Sequence, residues 1–351
     1  MTQQPVDVVV VTALQLERRA VRAHLDGFEV ENLSGLSADT GKSASRPGQR
    51  IAVIETGPGN IAAGLLSLRA EASFRPTYMV MLGVAGGVKD VKIGDVVTSS
   101  KVYWIEGGKA DTMFKPRPDF APVSGGLVQL ARAVAADGTW MADGRGDAGP
   151  WPDAGRGPEA LVNPIVVGEK VVADRGAEAA KLISAYYSDA VAVDMEDFGA
   201  LRGGTATERA KVIAIRGISD MLAEKTDADQ KGSQPLAAAN AAAFLFNLLD
   251  RLPEPLGGDA SVAAAESVDK YAGVLAVCRE LYPDGPQQDG LWERAGGDRS
   301  RLQPDGPGAT RWWNAIRMLE NGGGGGTITI DTLINEMRVD YPTNPKLSSL
   351  G

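Results

Sequence analysis

Residues 6–17 read VDVVVVTALQLE. Apart from Asp7 the stretch to Val11 is apolar without alternation, the mark of a strand covered on both faces. Leu14, Glu17, Ala20, Val21 and Leu25 then recur at helical spacing, so a helix follows at once. A doubly covered strand that feeds directly into a helix opens an α/β domain. The pattern continues outward. IAVIET (51–56) reads as a second buried strand, and a helix runs from Ile61 to about Ala72 after Gly57-Pro58-Gly59. YMVMLGVAGG (78–87) and DVVTSSKVYW (95–104) are further strands, the first ending in a glycine loop. Strand character returns at 162–167, at 190–194 and in KVIAIRGIS (211–219), with helices expected near 176–187, 195–203 and 236–252. Residues 31–50, rich in Ser, Gly and Arg, read as loop, and 138–160 as a surface insertion.

At 351 residues the chain exceeds one ordinary domain, so a large domain with a smaller companion is expected. Net charge is −9 and no basic tract occurs, which argues against a nucleic-acid partner. Cys278 is the only cysteine and His24 the only histidine. An intrachain disulfide is therefore impossible, a His-Cys zinc site cannot be assembled, and Ser-His or Cys-His triads have little support. The first apolar run is too short to span a bilayer and lacks a basic flank, so a soluble, cytoplasmic protein without membrane contact is expected.

Carboxylates stand where open α/β sheets bind ligands, just beyond the carboxyl ends of strands. Glu17 lies one turn into the first helix; its plain alternative is a solvated surface acid beside Arg18 and Arg19. Glu196 begins a helix after VAVD and has the geometry to accept both hydroxyls of a vicinal diol, or else simply favours the helix dipole. Asp194 shares that dipole alternative, and Met195 either packs beneath a sugar or is core. Asp220 ends the most apolar later strand; semi-burial there would make a proton available to a purine N7. Ser219 either orients that acid or caps the next segment. The glycines of 57–59 and 83–87 free backbone N–H groups for a ligand or make compact turns, and match neither a dinucleotide nor a phosphate-loop signature.

Together, VVVVTALQLE, IAVIETGPGNIAAG, LGVAGGVKDVKIGDVVTS, VVGEKVVAD, VAVDMEDFGAL and VIAIRGISD resemble the purine nucleoside phosphorylase and uridine phosphorylase superfamily, nearest its methylthioadenosine/S-adenosylhomocysteine nucleosidase branch. The resemblance spans residues 6–252 and implies a phosphorylase/hydrolase-like three-layer αβα domain over 1–252. It implies that Glu17 positions or activates water, Glu196 binds the ribose hydroxyls and Asp220 protonates an adenine-type base. Ser219 would support Asp220, Met195 would line the ribose pocket, and Gly83, Ala85 and Gly86 would border sugar and base. It also implies a homodimer and needs neither metal nor cofactor. Three departures stand out. The arginines that hold phosphate in the phosphorylases are missing from 57–60 and 83–87, which favours water as nucleophile. Asp194 replaces the first acid of Glu-Met-Glu. Val171 and Val172 stand where an aromatic usually stacks on the base, leaving Phe198 to supply it. For a substrate with a 5′-phosphate, Arg18, Lys89, Lys92 and Arg216 are the cations at hand.

Beyond a linker at 253–267, residues 268–351 read as a small all-α domain, with helices at 268–281, 310–321 and 329–341. Cys278 falls on the apolar side of the first. CRELYPD, TRWWNAIRMLEN and RVDYPTNPKLSSL are similar to the effector-associated domain of bacterial conflict systems, which implies an adaptor for a protein partner. Trp312 and Trp313 serve either core or interface. The whole then reads as a triggered purine nucleosidase acting in antiphage defence. A phosphorylase with unusual phosphate ligands, or a nucleotide-sensing scaffold without turnover, are the alternatives.

Overall fold

The structure is a computed structural model and describes residues 6–33, 35–110, 112, 114–143, 157–170, 177–222, 233–253, 271, 273–304, 306–320, 323–348 and 350. The chain divides into two compact units, Met1–Pro253 and Glu254–Gly351.

Strands of the larger unit are β1 Val8–Thr12, β2 Glu29–Leu33, β3 Leu36–Lys42, β4 Arg50–Glu55, β5 Tyr78–Gly87, β6 Val96–Trp104, β7 Gly108–Lys109, β8 Lys115–Pro116, β9 Asp119–Ala121, β10 Ala160–Val167, β11 Ala192–Asp194 and β12 Lys211–Met221. Its helices are α1 Gln15–Arg22, α2 Asn60–Phe74, α3 Gly125–Asp137, α4 Glu178–Tyr186, α5 Asp197–Gly204 and α6 Ser233–Asp250. The main sheet runs β11-β10-β6-β12-β5-β1-β4-β3-β2. β1 lies parallel between β4 and β5, with Val10 opposite both Val53 and Val80. Antiparallel pairing of β11 with β5 (Val193 opposite Gly86) closes β5, β12, β6, β10 and β11 into a ring, so one half of the sheet is a small barrel.

The alternation of β1 builds the three layers. Val9 and Val11 join a core with Ala63, Ala70 and Phe74 of α2 and Ala200 and Leu201 of α5. Val8 and Val10 point the other way, into a core with Val21 of α1 and Phe244, Leu245 and Leu248 of α6. All four valines are at most 1% exposed, and burying each contributes about 1.5–3 kcal/mol. α6 is buried around its whole circumference from Leu236 to Leu249 and almost wholly apolar there, as a helix packed on every side must be.

Two regions differ from the sequence expectation. Residues 31–50 are not loop: β2 and β3 pair antiparallel and extend the sheet edge beyond β4. Their polar composition is that of an edge hairpin, exposed along β2, and is easily mistaken for loop. The helix α3 and the short strands β7 to β9 also occupy a region, 105–137, where sequence analysis assigns nothing. Of the 138–160 insertion, Thr139–Asp143 forms a turn of 3₁₀ helix and 144–156 lies outside the described residues. The linker at 253–267 lies outside them too, except for Pro253.

The smaller unit is all-α. Residues 273–281, Leu291–Arg294, Gly308–Glu320, Ile330–Asp340 and Pro345–Ser348 are helical. They enclose Cys278, Trp292, Trp312, Leu333 and Met337. Cys278 is core: burial raises its thiol pKa, and its Sγ lies 3.6 Å from Met337 Sδ. Trp312 is core as well and donates from Nε1 to the Tyr282 carbonyl at 2.7 Å, whereas Trp313 is 43% exposed beside Arg317. Among the described residues no helix is long and apolar enough to cross a membrane.

Candidate active site

The carboxyl ends of β1, β5, β11 and β12 meet at a cavity of about 180 Å³. Glu17, Ala85, Gly86, Met195, Glu196, Ser219 and Asp220 all line it, together with Ala13, Leu14, Pro58, Val84, Lys170, Val193, Asp194 and Gln234. The three acids singled out from sequence therefore face one space.

Glu17 is the third residue of α1 and reaches back to the helix start, the acidic half of a capping box. Its Oε2 accepts from the Ala13 and Leu14 N–H groups at 2.9 and 2.8 Å, and its Oε1 from the Val84 N–H at 2.8 Å. It is 1% exposed, and burial raises its pKa above 4.5 although Arg216 and the three N–H groups oppose this. Gly83 makes room for it. A Cβ there would sit 2.3 Å from Arg216 Nη1 and 2.6 Å from Glu17 Oε1, so Gly83 lies behind the cavity rather than on its wall.

Asp220 owes its aim to a bulge. β12 pairs with β5 in register to Ile218 opposite Ala85, then slips so that Asp220 stands opposite Gly86, leaving Ser219 as the extra residue. Bulges re-aim side chains in this way. Ser219 Oγ donates to Asp220 Oδ1 at 2.7 Å.

Glu196 precedes α5 and accepts on Oε1 from the Gly59 N–H at 2.9 Å. Gly59 has φ +102°, a backbone state that side chains resist, and it turns that N–H toward the acid at the start of α2. Asp194 accepts on Oδ1 from the Glu196 and Asp197 N–H groups at 3.3 and 3.4 Å.

Beneath these acids lies Arg216, fully buried. Its Nη2 is 2.6 Å from Asp194 Oδ2, 2.6 Å from Asp197 Oδ1 and 3.6 Å from Glu196 Oε2; its Nε donates to Asp197 Oδ1 at 3.0 Å. Nη1 donates to the Val84 carbonyl at 3.3 Å, behind the N–H that holds Glu17. Burial works against the guanidinium charge, but the three acids outweigh it and raise its pKa. Too many acids share this one cation. Burial drives the Asp194 carboxyl well above 3.8, and Asp197 and Glu196 push the same way against Arg216.

Arg216 is thus spent on carboxylates and has no free face for a 5′-phosphate: it lies on the same strand as Asp220 but inside the protein. Arg18, proposed for the same role, grips Asp39 with Nε and Nη2 at 2.6 and 2.7 Å, and Lys89 lies beside Asp90 at 3.8 Å; neither lines the cavity, nor does Lys92. Phe198 is also off the wall, stacked on Trp104 with ring centroids 5.0 Å apart. Two residues along a helix is about 200° of rotation, which carries Phe198 away from the face of Glu196. Val171 and Val172 lie outside the described residues. Lys170 and Gln234 on the wall, and Asp197 and Asn60 behind it, are not among the residues singled out from sequence. Asp197 had a signal, a third acid in DMED, whereas nothing local marks Asn60.

Residues 7–251 match the model of the phosphorylase superfamily. The chain belongs to that superfamily. Residues 267–351 match the model of effector-associated domain 1. Among solved structures, this superfamily member is similar to the Neisseria meningitidis 5′-methylthioadenosine/S-adenosylhomocysteine nucleosidase in complex with methylthio-immucillin-A, at 22% identity and TM-score 0.56, covering 70% of this chain and 99% of that one. It is also similar to the native futalosine hydrolase of Helicobacter pylori, at 19% identity and TM-score 0.56 over 70% and 98%. The Streptococcus pneumoniae MTA/SAH nucleosidase in complex with 8-aminoadenine matches at 18% identity and TM-score 0.56 over 70% and 100%. At such identities the likeness establishes the shared fold.

Proposed function

We propose that the larger unit hydrolyses the N-glycosidic bond of an adenine-type purine nucleoside or nucleotide. The observation that carries this is the meeting of Glu17, Glu196 and Asp220 in one cavity. Glu196 accepts the 2′- and 3′-hydroxyls of the ribose. Asp220, oriented by Ser219, gives a proton to N7 as the C1′–N9 bond breaks and its electron pair moves to the base. Glu17 takes a proton from water, whose oxygen forms the new bond to C1′. The developing oxocarbenium charge is stabilised by the surrounding carboxylates, and Arg216 keeps them in place without entering the reaction. Gly86 and Ala85 leave backbone along the sugar and base, and Met195 packs against the ribose.

Water is favoured over phosphate because Lys170 is the only cation among the described residues of the wall, and it is exposed and 3.9 Å from Glu106. A panel of purine nucleosides and nucleotides, assayed with and without phosphate, tests this: free base and the hydrolysed sugar, ribose from a nucleoside or ribose 5-phosphate from a 5′-nucleotide, are expected in both cases. Ribose 1-phosphate formed only with phosphate would instead mean phosphorolysis. Ligand binding with no base release would mean a nucleotide-sensing scaffold, and Asp220→Asn is expected to abolish release.

The smaller unit then serves as the adaptor of a cytoplasmic, partner-triggered effector in a bacterial defence system, with the exposed Trp313 on its recruiting face. A second copy of the chain pairs with the larger unit across α2. Ile61, Leu65 and Leu68 recur there at helical spacing with exposures of 75%, 64% and 41%, an uncharged stripe of the kind that marks interfaces. Sedimentation is expected to give a dimer, and Leu65→Glu a monomer.

A further inference from the structure

A residue that begins a helix ordinarily caps it: its side chain accepts from the backbone N–H two or three positions on. Glu196 stands in that place before α5, yet its carboxylate makes no such bond. The third N–H of α5, that of Gly199, goes elsewhere. It donates to Asn60 Oδ1, on α2, at 2.8 Å. The other half of the Asn60 amide donates from Nδ2 to the Gly168 carbonyl at 3.3 Å, in the segment that leads to Lys170 on the cavity wall. Asn60 is 5% exposed, and both ends of its side chain are used.

The two helices approach closely enough for this only because of their glycines. A Cβ at Gly199 would fall 2.0 Å from the Asn60 carbonyl oxygen, and one at Gly203 would fall 2.2 Å from that of Gly64. Backbone therefore lies on backbone, with Gly199 and Gly203 of α5 on Asn60 and Gly64 of α2. That contact brings the start of α2, where the Gly59 N–H holds Glu196, against the start of α5. Asp194 meanwhile takes the Glu196 and Asp197 N–H groups. Two of the donors at the start of α5, the Asp197 and Gly199 N–H groups, are thus served from outside, and the Glu196 carboxylate caps neither.

We infer that Asn60 is a positioning residue for sugar recognition: by capping α5 from a neighbouring helix, it releases the Glu196 carboxylate to face the cavity and accept the ribose hydroxyls. Remove the amide, and the part-buried Gly199 N–H becomes a rival donor that draws Glu196 back onto its own helix. Discrimination between ribose and deoxyribose is then lost, while steps that do not involve the diol continue. Because this rests on the nucleosidase reading, the test carries one readout that turnover does not enter.

Asn60→Ala and Asn60→Asp are compared in the full chain. Asp keeps the acceptor for the Gly199 N–H, loses the donor to Gly168 and adds a charge. The ratio of kcat/KM for adenosine over 2′-deoxyadenosine is expected to fall at least tenfold in Asn60→Ala, with the deoxy value changing less than about twofold, and to stay near the unsubstituted ratio in Asn60→Asp. Amide hydrogen exchange over residues 196–201 is expected to quicken in Asn60→Ala and not in Asn60→Asp. An equal loss on both substrates would make Asn60 merely structural, and an unchanged ratio, or loss in Ala and Asp alike, overturns the inference. If Asn60→Ala does not fold, Asn60→Leu, which also removes the acceptor for the Gly199 N–H but keeps the side-chain volume, takes its place and the same ratio decides. If the unsubstituted chain releases no base at all, the nucleosidase reading fails, and exchange over 196–201 still shows whether Asn60 caps α5.

Discussion

Replacing Arg216 by methionine should destabilise the larger unit more than almost any other single change. The side chain is fully buried and meets Asp194 and Asp197 at 2.6 Å each, with Glu196 at 3.6 Å. Methionine fills most of its volume but leaves those acids without a cation in the interior. Breaking a buried pair from one side costs about 3–5 kcal/mol. For a unit of this size each kcal/mol lowers Tm by roughly 2–4 °C, so a drop of about 6–20 °C is expected. Scanning calorimetry of the full chain, following the transition of the larger unit, measures it. Asp194, which burial already holds well above 3.8, loses the cation that opposes that rise and is the more readily protonated, so the loss should shrink as pH is lowered. Adding Asp197→Leu removes the principal orphan, and the double variant should recover about 2 kcal/mol relative to the sum of the single changes. Base release should be lost in either case, because Arg216 sits behind both Glu196 and the Val84 peptide that holds Glu17. A cost below about 1 kcal/mol, or strictly additive single changes, would refute the claim that one guanidinium anchors these acids.

Glu17→Gln cannot satisfy the three N–H groups that Glu17 accepts, since one end of an amide is itself a donor. A stability loss of about 1–3 kcal/mol in urea titration should therefore accompany a fall in kcat of at least about 100-fold. Burial raises the pKa of Glu17 above 4.5, and as the base it must be ionised, so kcat/KM should rise with pH along a limb that lies above 4.5. For stability the same shift has the opposite sign. Glu17 and Asp194 hold protons in the folded state at pH values where the unfolded chain has released them, so stability should fall as pH rises from 3.8–4.5 through their raised values, and Asp194→Asn should flatten that fall in a pH series of Tm. In the smaller unit, Gly308→Ala would place a Cβ 1.9 Å from the Pro283 carbonyl oxygen. It should lower the melting temperature of that unit while base release by the larger one persists, and parallel loss of both would show that the units do not act separately.

Much of the fold was legible because burial on two faces leaves an unmistakable pattern. VDVVVV, IAVIET, YMVMLGVAGG and KVIAIRGIS are apolar without alternation, and each is a strand of the sheet at the expected place. The β2–β3 hairpin was not legible, since an edge pair exposed to water carries the composition of a loop. Among residues that line the cavity, Glu17, Glu196 and Asp220 could be found because acids just beyond buried strands are uncommon enough to notice, and Ser219 as the neighbour of the last. Phe198 and Arg216 were misplaced for the same reason as each other: residue type marks what a side chain can do, and only the turn of the helix or the face of the strand decides where it does it.

The amino-acid sequence by itself determined the two-unit organisation, the succession of strands and helices, and which acids stand at strand ends, because these follow from local periodicity and from the demand that apolar surface be covered. Tertiary structure alone decided that residues 17, 196 and 220 share a cavity, that Arg216 lies beneath it rather than within it, and that Asn60 serves a helix it does not belong to. Such facts depend on contacts between segments more than a hundred residues apart, and on a one-residue bulge at Ser219 that changes a side chain's direction without changing the composition around it.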